Sequence, residues 1–395
     1  SLVEELAGAL GAPLLEHLPP EEAAHILDET PSNKRADLLH DLPPDKVEAI
    51  LGHMAPDNAR EARRLVRYSP DCAGGLMITE FLAYPRSMTT QQVVEDMRAN
   101  ADEYRNYTIQ YTFVIGDDGG LVGVLPLRDL LLAPSKRPIG EMMIREPLFV
   151  FDDDHLDQLA EFFEEHDFLG VPVTDRERRL VGVVRRDAVR EALGDRAQSD
   201  YLKAQGIPSG EELRTMPLFL RARRRLSWLS VNIFLNIIAA SVIAFNEDVI
   251  AAVIALAVFL PIISDMSGCS GNQAVAVSMR ELSLGLVKGT DLLYVWLKEV
   301  AVGMINGVAL GLLIGVVGWV YASNPFLGVV VAMALALNTL IAVSIGGTVP
   351  LLMKRFNMDP ALASGPILTT ITDLCGFFLV LTFARLFMPL LVNGG

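Results

Sequence analysis

The stretch ALASGPILTTITDLCGFFLVLTFARLFMPLL, residues 361–391, decides how this chain folds. Its two charged side chains are the carboxylate Asp373 and, near its end, Arg385. A run of this length and composition is typical of a membrane-spanning helix. At about 1.5 Å per residue, Asp373 lies roughly 18 Å along such a helix from Ala361, near the middle of a bilayer. Because an ionised carboxylate in hydrocarbon costs at least about 2.5 kcal/mol, Asp373 is predicted to face a water-filled path or a cation.

The 395 residues fall into two halves of different composition. Residues 1–224 hold 40 acidic and 26 basic side chains, whereas residues 225–395 hold 8 and 7. The pattern predicts an acidic soluble half followed by an apolar membrane half. The acidic half argues against nucleic acid as a partner, since phosphates need basic residues, and it suits cations. It is equally typical of a solvated bacterial surface.

The cysteines and the first residue say little about chemistry. Cys72, Cys269 and Cys375 have no zinc-site spacing and give no disulfide framework, so we expect each to be a small apolar filler. The sequence starts with Ser and shows no signal peptide. We therefore expect a trimmed N-terminus and a soluble half that stays on the side of synthesis.

The first 70 residues contain an internal echo. LLEHLPPEEAAHIL at 14–27 returns 24 residues later as LLHDLPPDKVEAIL at 38–51. Each copy places Pro-Pro at a helix start, where the missing N–H is harmless, and follows it with acidic residues. Residues 1–70 are therefore predicted to form a small α-helical superhelix that serves as a scaffold or contact surface.

A second echo occupies residues 71–194. YTFVIGDDGGLVGVLPLRDLLL (111–132) and FLGVPVTDRERRLVGVVRRDAV (168–189) each give a strand, a turn, a second strand and a helix beginning at an Asp. This α/β layout resembles a CBS pair, with domains at 71–134 and 135–194. CBS pairs often bind adenine nucleotides through a Ser or Thr three residues before the helix Asp. Pro126 and Val184 stand at those positions, so ATP is not expected as a cofactor.

A polar connector at 195–224, predicted to be helical, leads to a membrane domain at 225–395 with five apolar segments, and basic clusters lie on one side of these segments. The positive-inside rule then places the N-terminal half in the cytoplasm and the C-terminus outside. Because five spans are an odd number, a pore shared between two copies is expected rather than a symmetric single-chain carrier. The segments are 226–245, 249–279, 300–321, 326–353 and 361–391.

Two of these segments carry polar clusters. The second, PIISDMSGCSGNQA at 261–274, includes Asp265 and Asn272 and is predicted to interrupt its helix, which would expose carbonyls to an ion path; a packing seam of small residues is the alternative. In the fifth segment Gly365, Thr369 and Asp373 are four residues apart and share one helix face. Asp265 is predicted to line the pore, to pair with Arg280 or Arg385, or to sit at an interface.

The segments at 261–274 and 359–376, together with the order of the domains, resemble the MgtE magnesium channel family over essentially the whole chain. The resemblance implies a homodimer in the bilayer of the bacterial inner membrane, with both fifth spans lining one pore. It makes Asp373 the pore carboxylate that holds hydrated Mg²⁺, a role that suits an ion that keeps its waters. This chain differs from the family pattern at Gly365, Cys269 and Asp265.

The same resemblance implies closure of the pore by intracellular Mg²⁺ that bridges carboxylates of the CBS domains, the connector and the membrane domain. Gly194, Arg196 and Ser199 stand where the family has carboxylates in the connector. Feedback closure is therefore expected to be weaker or differently wired. The acids that remain at such positions are Asp157, Asp167, Glu191, Asp200 and Asp359.

Two other functions compete with a Mg²⁺ channel. A channel or exchanger for Co²⁺ or Zn²⁺ would explain Cys269 and Cys375 inside the two motifs, because thiolates favour those metals. A membrane sensor whose CBS half signals to a cytoplasmic partner would carry no flux. No phosphate-binding GxxxxGK[ST] motif occurs, and no His or second carboxylate shares the face of Asp373, so we do not expect an enzyme.

Overall fold

The computed structural model describes residues 11–107, 109–207, 210, 212, 216–283, 286–356, 358–363 and 366–393. The chain divides into two compact units, Ser1–Arg196 and Ala197–Gly395. The first combines short helices with two small sheets, whereas the elements described in the second are all helices. The boundary lies within the predicted connector.

The first unit begins with short helices that bury one apolar core. Both echoed Pro-Pro pairs start a helix as predicted, because their second proline is the first helical residue. Arg35 is 3% exposed and donates hydrogen bonds of 2.9 Å to the carbonyls of Leu27 and Thr30, which satisfies backbone groups at the end of the second helix. The helices are α1 (Gly11–His17), α2 (Pro20–Asp28), α3 (Ser32–His40), α4 (Pro44–Leu51), α5 (Pro56–Leu65) and α6 (Ala73–Leu76).

Two small sheets follow, and both begin with a parallel strand pair followed by an antiparallel one. The first has the order β1 (Leu82–Pro85), β2 (Tyr111–Ile115), β3 (Leu121–Pro126), β4 (Ile144–Arg145). The second has the order β5 (Val150–Phe151), β6 (Gly170–Thr174), β7 (Leu180–Arg185). The helices that connect successive strands are α7 (Thr90–Ala99), α8 (Leu127–Leu132) and α9 (Leu156–Glu165).

The hairpins β2–β3 and β6–β7 repeat each other, as the sequence echo predicted. The register shifts at the same point of each hairpin, between Val114 and Ile115 and between Val173 and Thr174. The glycine of each LVGV strand packs on a methionine: a Cβ at Gly123 would lie 2.4 Å from the Met143 sulfur. At Gly182 it would lie 2.5 Å from the sulfur of Met77. A larger residue at either position would force the methionine side chain to move.

The last helix of the first unit continues into the predicted connector. Helix α10 (Arg186–Ala204) begins directly after β7 and has Asp187 in its first turn. Residues 195–204 of the connector are therefore helical, as predicted. A separate helix, α11 (Leu218–Ala244), starts within the connector and carries the basic run 221–225 in its first turns.

The second unit is a bundle of long helices. After α11 come α12 (Glu247–Ala252), α13 (Leu256–Ser283), α14 (Leu292–Ala322), α15 (Pro325–Arg355), α16 (Pro366–Leu386) and α17 (Met388–Asn393). Among the residues described, four helices are long and apolar enough to cross a membrane: α11, α14, α15 and Ile367–Leu386 of α16. Helix α13 has 28 residues but is not among these four, because its polar motif lowers its mean hydropathy. The predicted count of five spans is thus not confirmed.

The predicted interruption of the second apolar segment is wrong, because α13 runs unbroken from Leu256 to Ser283. Pro261 lies inside this helix, and the helix continues through it although proline removes one hydrogen bond to the carbonyl four residues earlier. The motif's glycines serve the alternative, a packing seam with α15. A Cβ at Gly271 would lie 3.0 Å from the Ala342 carbonyl, and one at Gly346 would lie 2.3 Å from the carbonyl of Gly271. Small residues let the two backbones touch.

Candidate metal site

Helices α13 and α16 bring the two polar motifs into contact. The Ser264 hydroxyl of α13 donates a hydrogen bond to Oδ1 of Asp373 on α16. Further along, a Cβ at Gly268 would lie 3.6 Å from Thr372 Oγ1. The motifs are about 100 residues apart in sequence, so their contact is a property of the tertiary structure.

Asp373 is half-buried. In the part of the chain that the structure describes, no Arg or Lys forms an ion pair with it. The basic residue of its own helix, Arg385, pairs instead with Asp248 at 3.1 Å. A carboxylate in an apolar helix with a hydroxyl as its partner retains acceptor capacity for a cation or its water.

Asn338 of α15 is a site residue that sequence reasoning missed. Its side chain is 0% exposed, and Nδ2 donates a hydrogen bond of 3.0 Å to the Thr372 carbonyl, one residue before Asp373. A Cβ at Gly376 would lie 2.7 Å from the same Nδ2, so α15 and α16 touch closely here. The signal was present in the sequence, because a lone amide in an apolar span is rare and marks a functional or packing contact.

The other predicted pore residues lie around this contact. Asn272 and Thr369 line a cleft of about 1440 Å³ in the second unit, together with Trp228, Asn232 and Arg280. Thr369 and Asn272 are both exposed. Gly365 lies outside the described residues, so its predicted place on the polar face stays a prediction.

Asp265 follows Ser264 on α13, and its side chain is exposed. Its predicted ion pair with Arg385 is wrong, because Arg385 pairs with Asp248. In the described ranges it also forms no ion pair with Arg280. Pore contact and an interface remain as its predicted roles. Cys269 is exposed and Cys375 is half-buried, and each lies in one of the contacting motifs.

Four of the five predicted regulatory acids pair with basic side chains of the chain itself. Asp200, the fifth, lines the cleft. No group of three or more His, Cys, Asp or Glu that could hold a metal ion occurs among the residues described. The pairs are Asp157–Arg196 at 2.8 Å, Asp359–Lys203 at 2.9 Å, Asp167–Arg186 at 3.3 Å and Glu191–Lys34 at 3.8 Å.

The nucleotide positions offer no hydroxyl, as the sequence indicated. Pro126 ends β3, and Val184 is 0% exposed within β7. Arg185, next to Val184, donates from Nε to Asp187 at 3.0 Å, so the helix Asp of the second CBS motif is already paired.

A second residue that the sequence did not single out is Glu212, which precedes the basic run. Its side chain is 3% exposed and pairs with Arg221 at 3.0 Å and with Arg225. The hydrogen bond from Arg225 holds the pKa of Glu212 below its usual value; burial opposes this shift, and the bond from Arg221 adds to it. Sequence reasoning used these arginines only to orient the membrane half.

Comparison with known proteins agrees with this arrangement. Family models match at residues 1–71 (MgtE intracellular N domain), 73–136 and 139–195 (CBS domain) and 260–383 (MgtE, divalent cation transporter). The chain is 33% identical over 330 residues to the magnesium transporter MgtE of Enterococcus faecalis, which covers 84% of this chain and 72% of that protein. It is 34% identical over 331 residues to the magnesium transporter MgtE of Thermus thermophilus, with 83% and 72% covered.

Two solved structures resemble part of the chain. The soluble part of a magnesium transporter matches with a TM-score of 0.45 and 28% identity, covering 49% of this chain and 73% of that one. The cytosolic domain of the Mg²⁺ channel MgtE, solved in complex with ATP, matches with a TM-score of 0.41 and 33% identity over 47% and 79%. The sequence relatives and the family models establish the assignment: the chain belongs to the MgtE family of magnesium transporters.

Proposed function

We propose that this protein is a Mg²⁺-selective channel that imports Mg²⁺ across the bacterial inner membrane. Five helices span the bilayer in this proposal: the four apolar helices and α13. The cytosolic N-terminal half comprises domains at 1–70, 71–134 and 135–194, and the connector at 195–224 leads to the pore domain at 225–395, whose C-terminus lies outside. Permeation is passive and driven by the membrane potential.

The observation that carries the proposal is Asp373, a half-buried carboxylate in an apolar helix, hydrogen-bonded by Ser264 and not ion-paired in the described part of the chain. Mg²⁺ takes six oxygens at about 2.0–2.1 Å and sheds its waters reluctantly. Asp373 supplies one carboxylate from each chain. Two copies related by a two-fold axis would offer two, which can hold the hydrated ion through its waters. We therefore propose a homodimer with the pore at its interface.

The neighbouring polar residues then line the path on either side of Asp373. Thr369 lies one helical turn towards the cytosolic end of α16, and Asn272 lines the same cleft. Hydroxyl and amide oxygens there can accept hydrogen bonds from the ion's waters without binding the ion so tightly that it cannot leave. Gly365 and Asp265 complete the proposed set of pore residues.

The test is flux through the full chain reconstituted in liposomes under an imposed potential, measured for Mg²⁺, Ca²⁺, Co²⁺ and Zn²⁺ in parallel. We expect Mg²⁺ uptake by the wild type and none by Asp373→Ala, with Asp248→Ala as the control, since that carboxylate is paired with Arg385. Uptake by Asp373→Ala equal to wild type would overturn the pore assignment. Selective Co²⁺ or Zn²⁺ flux that Cys269→Ser with Cys375→Ser removes would favour the soft-metal channel, and no flux of any ion would favour a sensor.

A further inference from the structure

The residues that would have to hold a regulatory Mg²⁺ do not fit that ion in this chain. Mg²⁺ needs several free oxygens at nearly octahedral positions. Asp359 has both carboxylate oxygens engaged: Oδ2 accepts from Lys203 at 2.9 Å, and Oδ1 accepts from the Ala361 N–H at 2.9 Å. Asp157 accepts from Arg196 at 2.8 Å.

Both basic partners belong to one helix, α10. Arg196 pairs inside the first unit and Lys203 inside the second. Arg196 also stands at a position where the family resemblance implies a carboxylate. A guanidinium keeps its positive charge at any physiological pH, so it does not vacate a carboxylate as a bound metal ion does when its concentration falls. The Arg196 guanidinium therefore occupies a position where a regulatory Mg²⁺ would have to bind.

We infer that Arg196 and Lys203 act as built-in counterions that order helix α10 through Asp157 and Asp359, so that its order depends on ionic strength and not on Mg²⁺. The pairs are partly exposed, with side-chain exposures of 39% and 60% for Arg196 and Asp157, and 25% and 32% for Lys203 and Asp359. Salt therefore screens them. The consequence for flux, weaker feedback by intracellular Mg²⁺, rests on the proposed function; the ion pairs themselves do not.

Hydrogen–deuterium exchange of residues 186–204 in the full-length protein tests this directly. Raising NaCl from about 0.1 M to about 1 M shortens the screening length from about 10 Å to about 3 Å, and we expect exchange to rise about two- to five-fold. Millimolar Mg²⁺ at constant ionic strength should leave wild-type exchange unchanged. Arg196→Glu restores a carboxylate and should make exchange fall when Mg²⁺ is added. Arg190→Glu, on the same helix and without an ion pair among the described residues, is the matched control.

A charge swap keeps the inference testable if Arg196→Glu fails to fold. Lys203→Asp should speed exchange, and adding Asp359→Lys in the same chain should restore the wild-type rate. Protection of wild-type α10 by Mg²⁺ as strong as in Arg196→Glu would overturn the inference, and so would a swap that exchanges like the single variant. Exchange is read without transport, so a chain that carries no flux would refute the proposed function and leave this result standing.

Discussion

Asp373 in the second unit and the predicted regulatory acids of the first unit differ in the side chains that pair with them. In the second unit, Asp373 has a serine hydroxyl as its partner, and no Arg or Lys pairs with it in the described part of the chain. In the first unit, Asp157, Asp167 and Glu191 each lie within 4 Å of a basic side chain. The difference separates a carboxylate that can still take up a cation from carboxylates that have already done so.

The contrast shows that the type and position of an acid are not enough to assign it a metal. Asp359 and Asp373 are 14 residues apart and belong to the same motif, yet Lys203 pairs with Asp359, whereas no Arg or Lys pairs with Asp373 in the part of the chain that the structure describes. Mg²⁺ competes poorly with a guanidinium or ammonium group held beside a carboxylate, because it must give up waters to bind directly. What surrounds the carboxylate decides its role.

The largest effect is expected from a substitution that gives Asp373 a basic side chain as an ion-pair partner. Ser264→Lys places an ammonium group where the hydroxyl now donates to Asp373. We expect Mg²⁺ flux in reconstituted liposomes to fall at least about a hundred-fold, since pairing removes the attraction of the carboxylate and the added positive charge repels the ion.

The matched control is Ser264→Ala, which removes the same hydroxyl without adding charge. Loss of one hydrogen bond to a carboxylate, worth about 1.5 kcal/mol, should change the apparent Mg²⁺ affinity about ten-fold and leave the maximum flux nearly intact. If Ser264→Lys carried as much Mg²⁺ as Ser264→Ala, Asp373 would not be the residue that holds the ion.

A smaller effect on stability is expected from substitutions that change helix packing in each of the two units. Gly346→Ala places a methyl group 2.3 Å from the Gly271 carbonyl, so helices α13 and α15 must move apart. We expect this overpacking to cost about 1–3 kcal/mol, measured by thermal unfolding of the full chain in detergent.

Gly194→Ala in α10 provides the opposite case, because a Cβ there meets nothing within 4 Å. Removing a mid-helix glycine should stabilise α10 by about 0.5–1 kcal/mol. Equal unfolding temperatures for the two variants would contradict the close contact described between α13 and α15.

The smallest expected effect concerns pH. Because the bond from Arg225 lowers the pKa of Glu212 from its ordinary 4.5, the ionised form stabilises the fold. That stabilisation is fully present above pH 4.5 and is lost as the pH falls through the lower pKa of the folded state. Glu212→Gln should therefore unfold at a lower temperature than wild type at neutral pH, and the difference should shrink in acid. A difference that does not change with pH would show that the pair with Arg225 is not what holds Glu212.

Most of the fold was predictable because it depends on local sequence patterns. The Pro-Pro starts of α2 and α4, the two LVGV hairpins and the apolar runs of α14 and α15 each follow from residues close in sequence. The interruption of α13 was predicted wrongly, because the same small residues permit either an unwound turn or a tight helix contact. Only the approach of α15 to Gly271 selects the second.

By itself, the sequence determined the division into an acidic half and an apolar half and the CBS pair, and it singled out Asp373 as a candidate ion-binding residue. A charge in an apolar run of that length is too costly to be incidental, whatever the tertiary structure. Tertiary structure alone decided which carboxylates are neutralised: Lys203 reaches Asp359 across 156 residues, and Arg196 reaches Asp157 across 39. Coulomb energy depends on the distance between atoms, and separation along the chain does not set that distance.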